Sequence, residues 1–175
     1  MNLISSQTNS LNGEVVCPGD KSISQRILIL GSLLNCNTSI KGFLDAYDPN
    51  STLNALNLIG SSIVKTKTRI ILNKRTQPFK MSEKDLDLGN SGTGMRLMLG
   101  LLSGLGIGAT LTGDSSLSKR PMLRVIKPLM EMGVNIKSND GKAPIRIIES
   151  NISNDYKYDM PIASAQVKSS LLLAS

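Results

Sequence analysis

Histidine and tryptophan are both missing from this chain, and its 175 residues include only two cysteines, three tyrosines and two phenylalanines. Each gap removes a kind of chemistry. Without imidazole there is no His-based triad, no histidine general base and no ordinary zinc site. Cys17 and Cys36 form a lone pair without metal-ligand spacing, so proton transfer falls to Lys, Asp, Glu, Tyr or Cys. Aromatic content of 3% disfavours the stacking platforms that single-stranded nucleic acid uses. No uninterrupted apolar stretch approaches the ~18 residues of a helical membrane span. The opening "MNLISSQTNS" has neither the basic start nor the apolar core of a secretory signal. These absences predict a cytoplasmic location and no membrane partner.

The residues that are present describe a globular chain. Hydrophobic content is 40% and charged content 19%, with the core left to Leu, Ile, Val and Met. A domain of this length buries about 70% of its unfolded surface. The net charge of +7 is scattered rather than gathered into a basic tail. That pattern favours small anions over nucleic acid as partners, and salt-dependent nucleic-acid binding rests on charge alone.

Short β-like stretches alternate with apolar helical ones. "GEVVCPG" reads as a strand, "SISQRILILGSLLN" as a helix, "NTSIKGF" as a strand, and "SSIVKT" with "RIILNK" as a hairpin. Between them "DPNSTLNALNLIG" reads as a helix with Asp48 as its cap, Pro49 in the first turn and Gly60 as its stop. The order then recurs: strand "LDLGN", helix "SGTGMRLMLGLLSGL", strand "GATLTGD", helix "RPMLRVIKPLMEMG", and strands "VNIKS" and "PIRIIES". Arg26 recurs as Arg96 and Gly60 as Gly133, a repeat of about 70 to 73 residues. A third copy, "YKYDMPIASAQVKSSLLLAS", offers a strand and an apolar helix with no later strands for that helix to pack on. The expected class is therefore α/β (α+β), built of βαβαββ units over about 15–80, 81–150 and 151–175. The third unit is truncated, which predicts a fragment of a longer chain.

Each unit places small polar residues before its first helix: "GDKSIS", "GNSGTG" and "ASAQVKS". A helix N-terminus offers unpaired N–H donors and about half a positive charge, which suits phosphate or carboxylate. Any one mouth alone reads as an ordinary cap or tight turn, with Ser22 or Ser24 merely capping a helix. Three in register predict anion sites gathered at one end of the domain. Ser22 and Arg26 share a helix face. In "LSKRPMLR", Pro121 is expected in a first helical turn, with Lys119 and Arg120 at its start and Arg120 offering a planar fork to an anion.

The stretches "PGDKSISQR", "LGNSGTGMRL", "GDSSLSKRPMLRV" and "SAQVKSSLLLA" resemble the signatures of the 5-enolpyruvylshikimate-3-phosphate synthase family. The resemblance runs from about Gly13 to Ser175, in order and spacing. The enolpyruvyl transferases acting on UDP-N-acetylglucosamine are similar in fold but carry Lys-Asn where this chain has Lys21-Ser22. A non-catalytic anion-binding module is the alternative outside enzymes.

The resemblance implies transfer of the enolpyruvyl group of phosphoenolpyruvate to the 5-hydroxyl of shikimate 3-phosphate, with release of phosphate and no cofactor or metal. It implies an inside-out α/β barrel domain of three repeated units, in an enzyme with two such domains that acts as a monomer. Residues 1–14 would belong to the second domain, and 15–175 to the incomplete first. By position, Lys21, Ser22, Arg26, Ser164, Ala165 and Gln166 would hold shikimate 3-phosphate. Lys21, Gly92, Thr93, Arg120 and Gln166 would hold phosphoenolpyruvate. Lys21 is the candidate proton mover, while the other acids and bases would come from the absent C-terminal half, leaving this chain inactive alone. Gln25 stands where the family often has His or Asn, a change expected to be tolerated. Gly92 lacks the methyl group that crowds glyphosate in some members, which implies sensitivity to that inhibitor.

Overall fold

The computed structural model describes residues 3–34, 36–153 and 155–175. Met1, Asn2, Asn35 at the end of the first expected helix, and Asn154 in the third expected unit lie outside the described residues. The elements run α1 (Lys21–Leu33), β1 (Thr38–Ile40), α2 (Tyr47–Leu58), β2 (Ser62–Lys65), β3 (Ile70–Asn73), β4 (Leu86–Asp87) and α3 (Gly92–Gly104). They continue with β5 (Ala109–Thr112), a 3-10 turn (Leu117–Lys119), α4 (Leu123–Glu131), β6 (Val134–Asn139), β7 (Lys142–Ser150) and α5 (Ala165–Ala174).

Two sheets carry the repeat. The second has the order β4-β5-β7-β6, with β4 parallel to β5 and the other pairs antiparallel. The first has the order β1-β3-β2, entirely antiparallel, which is the same arrangement without its leading strand. The repeated glycines are helix stops. Gly60 and Gly133 each follow a helix C-cap at φ +106° and +104°, where a side chain would strain the backbone. Asp140 and Gly141, both at positive φ, join β6 to β7 in a two-residue turn that sets the hairpin register.

Two expected strands do not form. Residues 13–19 pair with no strand among the described residues, and Val15 and Val16 stay 86% and 95% exposed. Neither ladder hydrogen bonds nor burial holds them extended. The segment at 156–161 is held by its tyrosines instead. Tyr156 and Tyr158 stack with ring centroids 6.1 Å apart, and the Tyr156 hydroxyl donates to Glu131 on α4 at 2.6 Å. Burial, then that carboxylate, raises the Tyr156 pKa.

Helix starts also differ. Asp48 lies inside α2, whose cap is Ala46, because Tyr47 already turns helically. Asp20, not Ser22 or Ser24, caps α1 by accepting from the Ile23 amide at 2.7 Å. Pro121 precedes the Met122 cap of α4, so Lys119 and Arg120 close the 3-10 turn instead of opening a helix.

The core is centred on α3. Leu97, Met98, Leu99, Leu101 and Leu102 are buried on every side, and α1, α2, α4 and α5 all pack against this helix. The closest approach is to α5, where a Cβ on Gly100 would overlap the Ser170 carbonyl and one on Gly104 the Leu173 carbonyl. Small residues on α3 thus let α5 lie against it with its first turn beside the first turn of α3. Gly100→Ala is expected to push α5 outward and lower stability by about 1–3 kcal/mol in urea unfolding. Limited proteolysis should then cut faster within 151–164, and an unchanged urea midpoint would contradict this packing.

Candidate active site

The mouths of α1, α3 and α5 meet at one cavity of about 280 Å³. Its walls are Lys21 from α1, Asp48 from α2, Asn90, Gly92, Thr93 and Arg96 around the start of α3, Arg120 after the 3-10 turn, and Gln166 from α5. Each of the three mouths is capped by a side chain: Asp20 for α1, Ser91 for α3 and Ser164 for α5. The caps satisfy some terminal N–H groups and fix where each first turn points.

Cations dominate the cavity, and each is held by a defined partner. Lys21 Nζ donates to the Asp48 carboxylate at 2.9 Å, with the lysine side chain 53% exposed and the aspartate 18%. Arg96 Nη1 donates to Gln166 Oε1 at 2.7 Å and to the Gly92 carbonyl at 3.2 Å. Gln166 Nε2 donates in turn to Thr93 Oγ1 at 2.8 Å, so one amide joins α5 to both the Thr93 hydroxyl and the Arg96 cation of α3. Burial, followed by the nearby charges of Arg120 and Arg124, pulls the Arg96 guanidinium below its ordinary pKa, though it stays charged at neutral pH. Arg120 donates to Asn90 Oδ1 and, at 3.4 Å, to Ser116 Oγ.

Gly92 sets the spacing of the two guanidiniums. A Cβ at this position would lie 3.0 Å from Arg96 Nη1 and 3.2 Å from Arg120 Nη1. The absence of a side chain therefore keeps both forks close to the first turn of α3, where the helix also presents N–H donors. Such an arrangement suits a small anion bearing phosphate or carboxylate oxygens.

Five of the residues expected from sequence line this cavity: Lys21, Gly92, Thr93, Arg120 and Gln166. Ser22, Arg26, Ser164 and Ala165 are not part of its wall. Ser164 Oγ accepts from the Val167 amide, and Arg26 donates to the Ser22 carbonyl at 3.3 Å while its side chain borders a groove between α1, α3 and α5. Sequence reading missed Asp48, Asn90 and Arg96 as site residues. Arg96 was legible in principle, because it is the repeat counterpart of Arg26. Nothing local distinguished Asn90, or showed Asp48 as more than a cap.

The sequence profile described as EPSP synthase (3-phosphoshikimate 1-carboxyvinyltransferase) matches residues 5–175. The chain belongs to this family. It is 47% identical over 168 residues to a 3-phosphoshikimate 1-carboxyvinyltransferase of Vesicomyosocius okutanii, covering 95% of this chain and 39% of that protein. A Legionella pneumophila protein of the same description is 46% identical over 176 residues, covering 99% and 41%. A solved EPSP synthase from Acinetobacter baumannii superposes with a TM-score of 0.84 at 40% identity, covering 93% of this chain and 37% of that one. The chain thus spans about two fifths of the length of these relatives. Its mixed α/β fold agrees with that structure over the shared part. Among the described residues, no helix is long and apolar enough to cross a membrane.

One carboxylate outside the cavity wall controls a cation within it. Asp114 accepts from the Ser116 amide at 2.9 Å, the Leu117 amide at 2.8 Å and Asn90 Nδ2 at 2.7 Å. Asn90 is the partner of Arg120. Chiefly through the Leu117 amide, these bonds hold the Asp114 pKa below the ordinary 3.8. A depressed carboxylate pKa contributes stability above the unfolded value and loses it as pH falls through the folded one. The Ser116 and Leu117 amide proton shifts should therefore titrate with a midpoint below the ordinary carboxylate value. Asp114→Ala should abolish the titration; a midpoint at or above 3.8 would contradict the network.

Proposed function

We propose that this chain is the cation-rich part of a 3-phosphoshikimate 1-carboxyvinyltransferase, acting on shikimate 3-phosphate and phosphoenolpyruvate. The observation that carries the reading is the convergence of Lys21, Arg96, Arg120 and Gln166 on one cavity at three helix mouths. Two phosphorylated substrates repel one another, and cations with oriented N–H groups offset that repulsion as they approach. Gly92, Thr93 and Arg120 would face phosphoenolpyruvate. Ser22, Arg26, Ser164 and Ala165 would face shikimate 3-phosphate, with Lys21 and Gln166 between the two.

In the reaction the 5-hydroxyl oxygen adds to the enol carbon of phosphoenolpyruvate while its methylene carbon gains a proton. The tetrahedral adduct then expels inorganic phosphate, and loss of a methyl proton restores the double bond. A proton donor and an acceptor are required. Lys21, ion-paired with Asp48, is the candidate within this chain. The other acids and bases would come from the part of the enzyme that this chain does not span. Residues 1–14 would pack with that second domain. Residues 15–175 would form most of an inside-out α/β barrel domain, with α5 as the first helix of its third unit. The whole enzyme would be a cytoplasmic monomer without cofactor.

The deciding assay measures phosphate release that depends on both substrates. A protein of the relatives' full length containing this sequence should turn over, and the purified 175-residue chain should not. Turnover by the chain alone would overturn the division of labour; no turnover by the longer protein would overturn the function. Within the active protein, Arg120→Lys keeps the charge and loses the fork. It should raise the KM for phosphoenolpyruvate about tenfold and leave that for shikimate 3-phosphate nearly unchanged. Gly92→Ala should weaken glyphosate inhibition more than phosphoenolpyruvate binding, as the methyl group that crowds glyphosate in some family members implies.

A further inference from the structure

Gln25 lies four residues after Lys21 on α1, fully buried beneath the cavity and outside its wall. The two hydrogens of its Nε2 are directed to Ser91 Oγ at 2.6 Å and Thr52 Oγ1 at 3.0 Å, with the Asp48 carbonyl a longer, shared acceptor at 3.3 Å. Each acceptor belongs to an element that carries part of the site. Ser91 Oγ also accepts from the Gly94 amide at 2.9 Å and so caps α3, the helix of Gly92, Thr93 and Arg96. Asp48 holds Lys21 through its side chain, while its carbonyl also accepts from Thr52 Oγ1 at 3.3 Å. One amide therefore touches the first turns of α2 and α3 from α1.

The surroundings are tight. A Cβ on Gly94 would lie 2.8 Å from Thr52 Oγ1, 2.9 Å from Ser91 Oγ and 3.1 Å from Gln25 Nε2. Yet Gln25 Oε1 is buried with no hydrogen-bond partner. An unpaired buried carbonyl costs stability that an apolar side chain of similar volume would avoid. Stability alone is thus a poor reason for glutamine here, whereas a donor that ties α1 to both α2 and the start of α3 has a geometric use.

We propose that Gln25 is a positioning residue for the anion site. It locks the mouths of α1, α2 and α3 together and sets where Lys21, Asp48, Gly92 and Thr93 stand relative to one another. The inference rests on the proposed function for its ligand, but its geometric content is independent of that reading.

The test compares the chain with its Gln25→Leu and Gln25→Asn variants by three measurements: urea unfolding, hydrogen exchange at the Gly94 amide, and calorimetric binding of shikimate 3-phosphate. Gln25→Leu should leave the urea midpoint unchanged or higher, speed Gly94 exchange at least tenfold, and weaken binding at least tenfold. Gln25→Asn, which keeps an amide donor, should recover part of both losses. Wild-type exchange at Gly94 in Gln25→Leu would overturn the proposal, as would binding lost only in proportion to global stability. Unfolding of both variants would likewise make Gln25 a structural residue and overturn it. If the wild-type chain does not bind shikimate 3-phosphate, the substrate reading fails, and Gly94 exchange with an unchanged urea midpoint still decides for or against Gln25.

Discussion

Lys21, Arg96 and Arg120 bring like charges into one cavity, and their repulsion has to be balanced before any ligand arrives. Two unit charges about 4 Å apart repel by about 4 kcal/mol at the effective dielectric near a protein surface. Only Lys21 is answered by a carboxylate on the wall, that of Asp48. The arginines are held by the neutral oxygens of Gln166, Gly92 and Asn90. Those partners orient the guanidiniums without cancelling their charge, so the cavity stays attractive to an anion. The balancing negative charge of Asp114 is set one residue back, behind Asn90.

That arrangement requires the helix starts to be close, and packing supplies the closeness. Gly100 and Gly104 let α5 lie against α3, which brings Gln166 within reach of Arg96 and Thr93. Gln25 joins α1 to α2 and α3 from below. The repeat makes this economical in topology. Two units with the same β-strand order present their first helices in the same sense, so their mouths fall at the same end. A cavity between equivalent helix starts follows from the symmetry of the fold.

Several features of this fold were legible because they are local. The hairpin of β2 and β3, the helix stops at Gly60 and Gly133, and the apolar length of α3 depend on near neighbours along the chain. The strands expected at 13–19 and around 156–161 failed for the opposite reason. A strand exists by virtue of a partner edge, and neither segment has one among the described residues. The starts of α1, α2 and α4 were displaced by one or a few residues, because Asp20, Tyr47 and Pro121 each settle locally in ways that composition does not reveal.

By itself the sequence determined the chemistry of the candidate site. The absence of histidine, the three polar helix mouths and the spacing of Lys21, Gly92, Arg120 and Gln166 leave it cations, hydroxyls, amides and backbone donors and no imidazole. Only the tertiary structure decided how those groups are wired. Arg96 faces Gln166, Asp48 takes Lys21, Asn90 carries Arg120, and Gln25 reaches Ser91 and Thr52. The physical reason is distance along the chain. Pairs separated by 27 to 70 residues meet only when packing brings their helices together, and no local propensity encodes that meeting.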